Sequence, residues 1–201
     1  MQTTWRALAA LMTLGAAACS DNNPIAEPEA APALGQASAR GNAGAVYTST
    51  NATGGNEVLV FPRTGSGALG APSAFATGGL GTGGGLGNQG AVVLSHDSRR
   101  LFVANAGSDE VSVFAVMPRG LELLDRVASG GTRPISIAVH GTLVYVLNAG
   151  GTGNISGFVL EGDDLQPLAG STRPLSSAAA DAAQVAFGPK GDSWSRRRQP
   201  T

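Results

Sequence analysis

The chain repeats one phrase three times: a short apolar run with an aromatic residue, then a turn, then a β-rich run that ends at phenylalanine. The three copies span residues 46–61, 101–114 and 144–158. A repeat of this kind constrains the fold strongly, because each unit is a small sheet that needs neighbours to cover its apolar faces. The sequence therefore predicts an array of similar sheets.

The length of the repeat identifies the kind of array. The leading aromatics Tyr47, Phe102 and Tyr145 are 55 and 43 residues apart, and the longer interval contains a glycine-rich insertion at residues 78–90. Without the insertion the period is about 43 to 45 residues, which is typical of a four-stranded propeller blade and too long for leucine-rich or ankyrin repeats.

Within each unit the apolar runs are short and are bounded by turn residues, as in antiparallel β structure. The predicted strands are 91–95, 101–105, 111–116 and 121–127 in the second unit, 135–139, 143–148, 154–160 and 165–169 in the third, and 183–187 at the start of a fourth. The expected fold is all-β, a β-propeller of four-stranded antiparallel blades that is incomplete, with about three blades.

The first 19 residues have the pattern of an export signal. A charged flank at Arg6 precedes the apolar residues 7–18, and small residues lead to Cys19, the only cysteine. Cys19 stands where a bacterial lipoprotein would be lipidated, although an ordinary secretory signal fits the same residues. Residues 20–44 are rich in Ala, Pro and Asn without periodicity, which predicts a disordered linker. We therefore expect an exported protein, periplasmic or anchored to the bacterial envelope through a lipid on Cys19.

The other end departs from the repeat. Residues 45–192 are expected to form the partial propeller, but residues 193–201 contain three consecutive arginines where a second apolar strand should follow. This segment is expected to be an irregular, disordered tail, and we interpret it as a sign of truncation or a frameshift. The formal net charge is −1 and Lys190 is the only lysine, so no basic surface indicates nucleic-acid binding.

Four phrases resemble the seven-bladed β-propeller lactonase family, which includes 6-phosphogluconolactonase-like proteins and enzymes that cyclise carboxy-muconate. The phrases are Leu101–Gly107, Val111–Phe114, Gly130–Val139 and Gln184–Gly191. Similar phrases occur in surface-layer and other YVTN-type repeat proteins that are not enzymes. The resemblance implies hydrolytic opening of a sugar lactone on one face of a closed ring of seven blades.

Antiparallel connectivity predicts which residues share the expected binding rim, where chains cross between blades. Arg133 and Arg173, each in a Thr-Arg-Pro sequence, are expected near this rim, and a guanidinium suits a carboxylate or phosphate ligand because it offers paired donors. Asn105 and Asn148 end the second strand of their units on the same rim. They could donate to an oxyanion, although asparagine before Ala-Gly also stabilises a turn.

Other chemistry-bearing residues are less well placed. His96 and His140, the only histidines, follow the first strand of their units and are expected on the opposite rim. Asp109 lies in a turn of the candidate rim and could be a base or a metal ligand, but it has no matching acid in the third unit. No cluster has metal-ligand spacing, so neither a metal nor a cofactor is expected.

The sequence leaves three functions open. The chain could retain part of an exported lactonase whose partner molecule is a small sugar lactone. It could be a non-catalytic propeller that binds an envelope protein as a scaffold. It could also be a gene remnant without function, as the aberrant tail suggests.

Overall fold

The computed structural model describes residues 43–176 and 181–188, and all regular structure in them is β-strand. The strands are β1 (Gly44–Ser49), β2 (Glu57–Arg63), β3 (Ser73–Ala76), β4 (Val92–Leu94), β5 (Arg100–Asn105), β6 (Glu110–Met117), β7 (Gly120–Ala128), β8 (Pro134–His140), β9 (Leu143–Asn148), β10 (Asn154–Glu161), β11 (Asp164–Pro167) and β12 (Arg173–Pro174). Within these ranges no helix is long and apolar enough to cross a membrane.

The strands form three antiparallel sheets, each made of consecutive strands. The first sheet has the order β1-β2-β3, and the second has the order β4-β5-β6-β7. The third has the order β8-β9-β10-β11, and β12 also pairs with β10. Its fourth position is therefore shared by two short strands, β11 opposite Phe158–Glu161 and β12 opposite Asn154–Ile155. These are the consecutive antiparallel sheets of a partial β-propeller, which confirms the predicted fold class.

The predicted strands of the second and third units are confirmed, with small differences at their ends. The first sheet differs, because β1 to β3 correspond to the second, third and fourth strands of the other units. No described residue occupies the first-strand position beside β1. The strand predicted at residues 183–187 is wrong, since this segment forms no strand. A strand needs a ladder of backbone hydrogen bonds with a neighbouring strand. This segment has only isolated bonds to described residues: Gln89 N donates to Ala183 O, and Val185 N donates to Ser136 Oγ, both over 3.2 Å.

Side chains of the middle sheet alternate between two apolar interfaces. Leu101 and Val103 point towards the first sheet and pack with Val58. Phe102 points the other way, into a cluster with residues of the third sheet that includes Phe158. Because successive side chains of a strand point to opposite faces, one sheet supplies both interfaces. Each sheet thus covers an apolar face of the next, as the repeat predicts.

The connections define two rims. The crossover rim holds the connections between sheets, residues 77–91 and 129–133, and the turns at 50–56, 106–109 and 149–153. The opposite rim holds the remaining turns. Backbone hydrogen bonds join the crossover rim across sheets: Gly107 N donates to Leu80 O over 2.9 Å, and Gly150 N donates to Thr132 O over 2.8 Å.

Candidate functional site

The structure separates the two Thr-Arg-Pro arginines. Arg133 lies in the connection between β7 and β8 on the crossover rim and is exposed. Arg173 lies in β12, at the edge of the third sheet, and its Nη1 donates to the carbonyl oxygens of Gly170 and Thr172 over 2.8 and 2.7 Å. The guanidinium of Arg173 is thus engaged by its own loop. The guanidinium of Arg133 has no hydrogen bond or ion pair with a described residue.

Asn105 lies in a buried network that joins the first and second sheets. Its side chain is 0% exposed. Its Oδ1 accepts two hydrogen bonds, from Asn56 Nδ2 over 2.9 Å and from Thr77 Oγ1 over 2.8 Å. Its Nδ2 donates to Ser112 Oγ over 2.8 Å. An amide that is buried and satisfied in this way is positioned to hold two sheets together.

Asn148 occupies the equivalent place between the second and third sheets and is also 0% exposed. Its Nδ2 donates to Ser129 O over 3.1 Å and to Asn154 Oδ1 over 2.8 Å. Both amide hydrogens are therefore used within the protein. Its Oδ1, however, is buried without a partner among the described residues. Because both asparagines are buried between sheets, we assign neither Asn105 nor Asn148 a ligand contact.

The two networks differ in the groups that reach the asparagine Oδ1. Asn56 and Asp109 are equivalent, because each directly precedes the third strand of its unit and accepts a bond from the next connection. Thr77 N donates to Asn56 O over 2.9 Å, and Ser129 N donates to Asp109 O over 2.8 Å. Asn56 uses its amide to satisfy Asn105. A carboxylate has no N–H to donate, and the Ser129 hydroxyl, at the position of Thr77, donates to Gly131 O over 3.1 Å instead. Asn148 Oδ1 therefore has neither of the two donors that Asn105 Oδ1 has.

The carboxylate of Asp109 contacts Arg133 instead. Asp109 Oδ1 accepts from the backbone N of Arg133 over 2.6 Å, and its Oδ2 accepts no hydrogen bond from a described residue. Both residues have positive φ angles, 59° for Asp109 and 55° for Arg133. Aspartate adopts this conformation more readily than most residues, but for arginine it is uncommon, and backbone strain of this kind often occurs at functional sites. The half-buried Asp109 and the exposed Arg133 form the candidate site, which we call the Asp109–Arg133 pair.

A second acid adjoins this pair. Glu110 Oε1 accepts from Arg126 Nη1 over 2.5 Å, while Glu110 Oε2 is buried without a partner among the described residues. A carboxylate that retains an unsatisfied buried oxygen adds negative potential to this part of the rim. The arginine of the ion pair offsets part of that charge.

The glycine-rich connection at residues 78–90 has a defined path along the same rim. Its Gly81 N donates to Ala52 O over 2.8 Å, and its Leu80 O accepts from Gly107 N. The backbones approach closely, since a Cβ on Gly107 would lie 2.1 Å from Gly81 O. Glycine permits this approach because it has no side chain. The connection opens no helix and thus lacks the geometry of a phosphate-binding loop.

The histidines lie on the opposite rim, as predicted. His96 is exposed in the turn after β4, and His140 is the exposed last residue of β8, with its ring 5.4 Å from that of Phe187. Two hydrogen bonds near His96 lower the pKa of Asp97. The larger effect comes from the Ser95 hydroxyl, and the next from the backbone N of Arg99. Asp97 therefore stabilises a turn.

In the parts of the chain that the structure describes, no three His, Cys, Asp or Glu side chains are grouped to hold a metal ion. Partial burial raises the pKa of the Tyr47 hydroxyl, and the Tyr47 side chain packs against the cluster between the first and second sheets. Cys19, the predicted lipidation site, lies outside the described residues.

Chemically, the Asp109–Arg133 pair combines a base with an anion binder. Asp109 Oδ2 is available to accept a proton, and the Arg133 guanidinium can hold an anionic group through paired donors. Sequence reasoning located both residues on this rim but did not join them. Alignment of Asp109 with Asn56 would have been the signal, because it shows a carboxylate replacing an amide.

Comparison with known proteins agrees with the fold. A sequence model of the family described as "Lactonase, 7-bladed beta-propeller" matches residues 46–164, more than half of the 201-residue chain. A search of curated protein sequences found no match.

Several solved structures are similar. The periplasmic gluconolactonase PpgL of Pseudomonas aeruginosa is 28% identical, with 60% of this chain and 34% of that chain covered and a TM-score of 0.47. A proposed 6-phosphogluconolactonase of Bacteroides uniformis is 20% identical, with 67% and 40% covered and a TM-score of 0.49. A functionally unknown protein of Desulfotomaculum acetoxidans is 22% identical, with 56% and 34% covered and a TM-score of 0.47.

The chain thus spans between 34% and 40% of the length of these solved structures. The family match rests on the sequence, and it covers most of the three sheets, from β1 to the start of β11. By that match the chain belongs to the seven-bladed β-propeller lactonase family.

Proposed function

We propose that this protein is an exported hydrolase that opens sugar lactones, with 6-phosphogluconolactone as the model substrate, at the Asp109–Arg133 pair. The observation that carries the proposal is the contact of Asp109 Oδ1 with the backbone N of Arg133, at 2.6 Å between two residues of positive φ. This contact holds a carboxylate with an available Oδ2 beside an arginine on the crossover rim. Membership of the lactonase family supports the reaction class.

The chemistry requires a base and a way to orient the substrate. Asp109 Oδ2 takes a proton from water as the water oxygen attacks the lactone carbonyl carbon. The bond between the carbonyl carbon and the ring oxygen then breaks, and the ring oxygen takes the proton back from Asp109. The product is a hydroxy acid, and the carboxylate of Asp109 is regenerated. Arg133 binds the phosphate of the substrate and holds the carbonyl towards the activated water.

Replacing Arg133 by alanine is expected to lower kcat/KM for 6-phosphogluconolactone about tenfold to a hundredfold, the effect of losing a hydrogen bond between charged groups. For glucono-δ-lactone, which carries no phosphate, the expected effect is small. Rates of acid release from both lactones, corrected for spontaneous hydrolysis, provide the measurement. Arg173→Ala is the matched control, because the Arg173 guanidinium is engaged by its own loop.

Wild-type protein that hydrolyses neither lactone above the spontaneous rate would overturn the proposed function. Equal losses of activity for the two substrates in Arg133→Ala would instead remove the phosphate-binding role and leave hydrolysis in place.

The exported location is a separate part of the proposal, and it rests on the signal pattern of residues 1–19. If Cys19 is lipidated, Cys19→Ala is expected to shift the protein from the membrane pellet to the soluble fraction of lysed cells. Fractionation followed by immunoblotting measures this shift, and Ser20→Ala is the control. Continued membrane association of the Cys19→Ala form would contradict lipidation.

A further inference from the structure

The outer hairpins of the second and third sheets turn at equivalent places on the opposite rim. Met117 pairs with Gly120 around the turn of residues 118–119, and Glu161 pairs with Asp164 around the turn of residues 162–163. The second residue of the turn is Arg119 in the second sheet, and it is an aspartate in the third. The two turns can therefore be compared, one at each interface between sheets.

The interface between the second and third sheets has an ion pair at this turn. Arg100 Nη2 donates to Asp163 Oδ1 over 2.5 Å. Two residues further along the chain, Leu165 N donates to Asp125 Oδ2 over 2.8 Å. Arg100 Nε is buried, so the side chain of Arg100 fills space between the second sheet and the turn of the third.

The interface between the first and second sheets has lost both members of this ion pair. Tyr47 and Phe102 hold the same register in their sheets, so Ala45, two residues before Tyr47, corresponds to Arg100. The acid of the ion pair is replaced by Arg119. The Arg119 side chain is exposed, and it has no hydrogen bond or ion pair with a described residue. This interface therefore has a cation without an acid, and an alanine where a long side chain would be.

A cavity of about 340 Å³ lies at these two positions, because both Ala45 and Arg119 line it. Its other walls are mostly apolar or aromatic, and they include Tyr47, Phe75 and Met117. Among the described residues that line it, Arg119 is the only charged one. Tyr47 packs against the cluster between the first and second sheets, so the cavity lies between these sheets rather than along the inner edge of β1.

The aromatic wall of the cavity is fixed by close packing. A Cβ on Gly120 would lie 2.3 Å from Phe75 Cζ, so the glycine allows the ring of Phe75 to rest on the turn of the second sheet. Phe75 is half-buried and Met117 is 49% exposed. Both side chains therefore offer apolar surface beside Arg119, and an aromatic ring packs well against phenylalanine and against a thioether.

We propose that this cavity binds a small aromatic carboxylate, whose carboxylate group pairs with Arg119 and whose ring packs against Phe75 and Met117. The ligand supplies the acid that Asp163 supplies in the other interface. A guanidinium suits a carboxylate because it offers paired donors, and the volume of about 340 Å³ is within the range of small-molecule sites. The cavity lies on the opposite rim, so the inference does not depend on the proposed hydrolysis at the crossover rim.

Isothermal titration calorimetry of the full chain tests the proposal with 2-naphthoate and with 2-naphthamide, which has the same ring system without the charge. The wild type is expected to bind 2-naphthoate about tenfold more tightly, the effect of a hydrogen bond between charged groups. Arg119→Ala is expected to lose this preference and to bind 2-naphthamide as the wild type does. Arg99→Ala and Arg133→Ala are the controls, since neither arginine lines the cavity, and they are expected to keep the preference.

A double variant tests the comparison of the two interfaces. Ala45→Arg combined with Arg119→Asp restores the ion pair of the other interface, so it is expected to fill the cavity and to weaken 2-naphthoate binding more than tenfold without lowering the melting temperature. Wild-type protein that does not bind 2-naphthoate, or that binds the two compounds equally, would overturn the proposal. So would an Arg119→Ala form that keeps the preference, or a folded double variant that binds 2-naphthoate as tightly as the wild type.

Discussion

Asp109→Asn is expected to lower kcat/KM for lactone hydrolysis about a hundredfold to ten-thousandfold, the usual contribution of a general base. The asparagine keeps an oxygen that can accept from the backbone N of Arg133, so the rim geometry is retained. The Oδ2 that takes the proton is replaced by an NH₂ group. Initial rates at saturating and at low substrate separate kcat from KM, and a loss mainly in kcat is expected.

The same substitution is expected to preserve stability, or to raise it. Asn56 shows what an amide does at the equivalent position, since its Nδ2 donates to Asn105 Oδ1 over 2.9 Å. We expect an amide at position 109 to offer a donor to Asn148 Oδ1, which is buried without a described partner. A new hydrogen bond of this kind stabilises a protein by about 0.5–1.5 kcal/mol.

A large loss of activity without a loss of stability distinguishes a catalytic carboxylate from a structural one. Asn56→Asp is the matched control: it removes a donor from the first network and should lower the melting temperature without acting on the Asp109–Arg133 pair. Lactone hydrolysis by Asp109→Asn at a rate close to that of the wild type would show that Asp109 is not the base. A lower melting temperature of the same variant would show that its carboxylate is structural.

Much of the fold could be predicted because its signals are local. An apolar run, a turn and a second run specify β5 and β6 from residues 101–114 alone, and the period then places the neighbouring sheets. Ala183–Phe187 shows the limit of this reasoning. Its residues favour a strand, but a strand forms only when another segment accepts its hydrogen bonds, and that depends on the rest of the assembly.

The candidate site was harder to predict because it depends on contacts between units. Connectivity was enough to place Arg133 on the crossover rim. The role of Asp109 was hidden, since the turn of the first unit spans 50–56 and that of the second only 106–109, which obscures the equivalence with Asn56. Its partner, the backbone N of Arg133, lies 24 residues away in sequence, and no local pattern joins the two.

The interfaces between sheets are expected to dominate stability, and Phe102 tests this most severely. Its side chain is 0% exposed and lies in the cluster shared by the second and third sheets. Phe102→Ala is expected to reduce the free energy of unfolding by about 3–5 kcal/mol, because it removes buried apolar surface and leaves a cavity. Urea unfolding followed by β circular dichroism measures the change.

Leu123→Ala is the control for Phe102→Ala, because Leu123 is 41% exposed and its truncation is expected to cost about 0.5 kcal/mol or less. In a stacked array each sheet depends on its neighbour's cover, so the loss at Phe102 should loosen the third sheet as well as the second. Hydrogen exchange would then rise at Val144 and Val146, which share the cluster with Phe102. Equal costs for the two variants would mean that the sheets do not stabilise one another through this face, and the interpretation of the repeat as interlocked blades would fail.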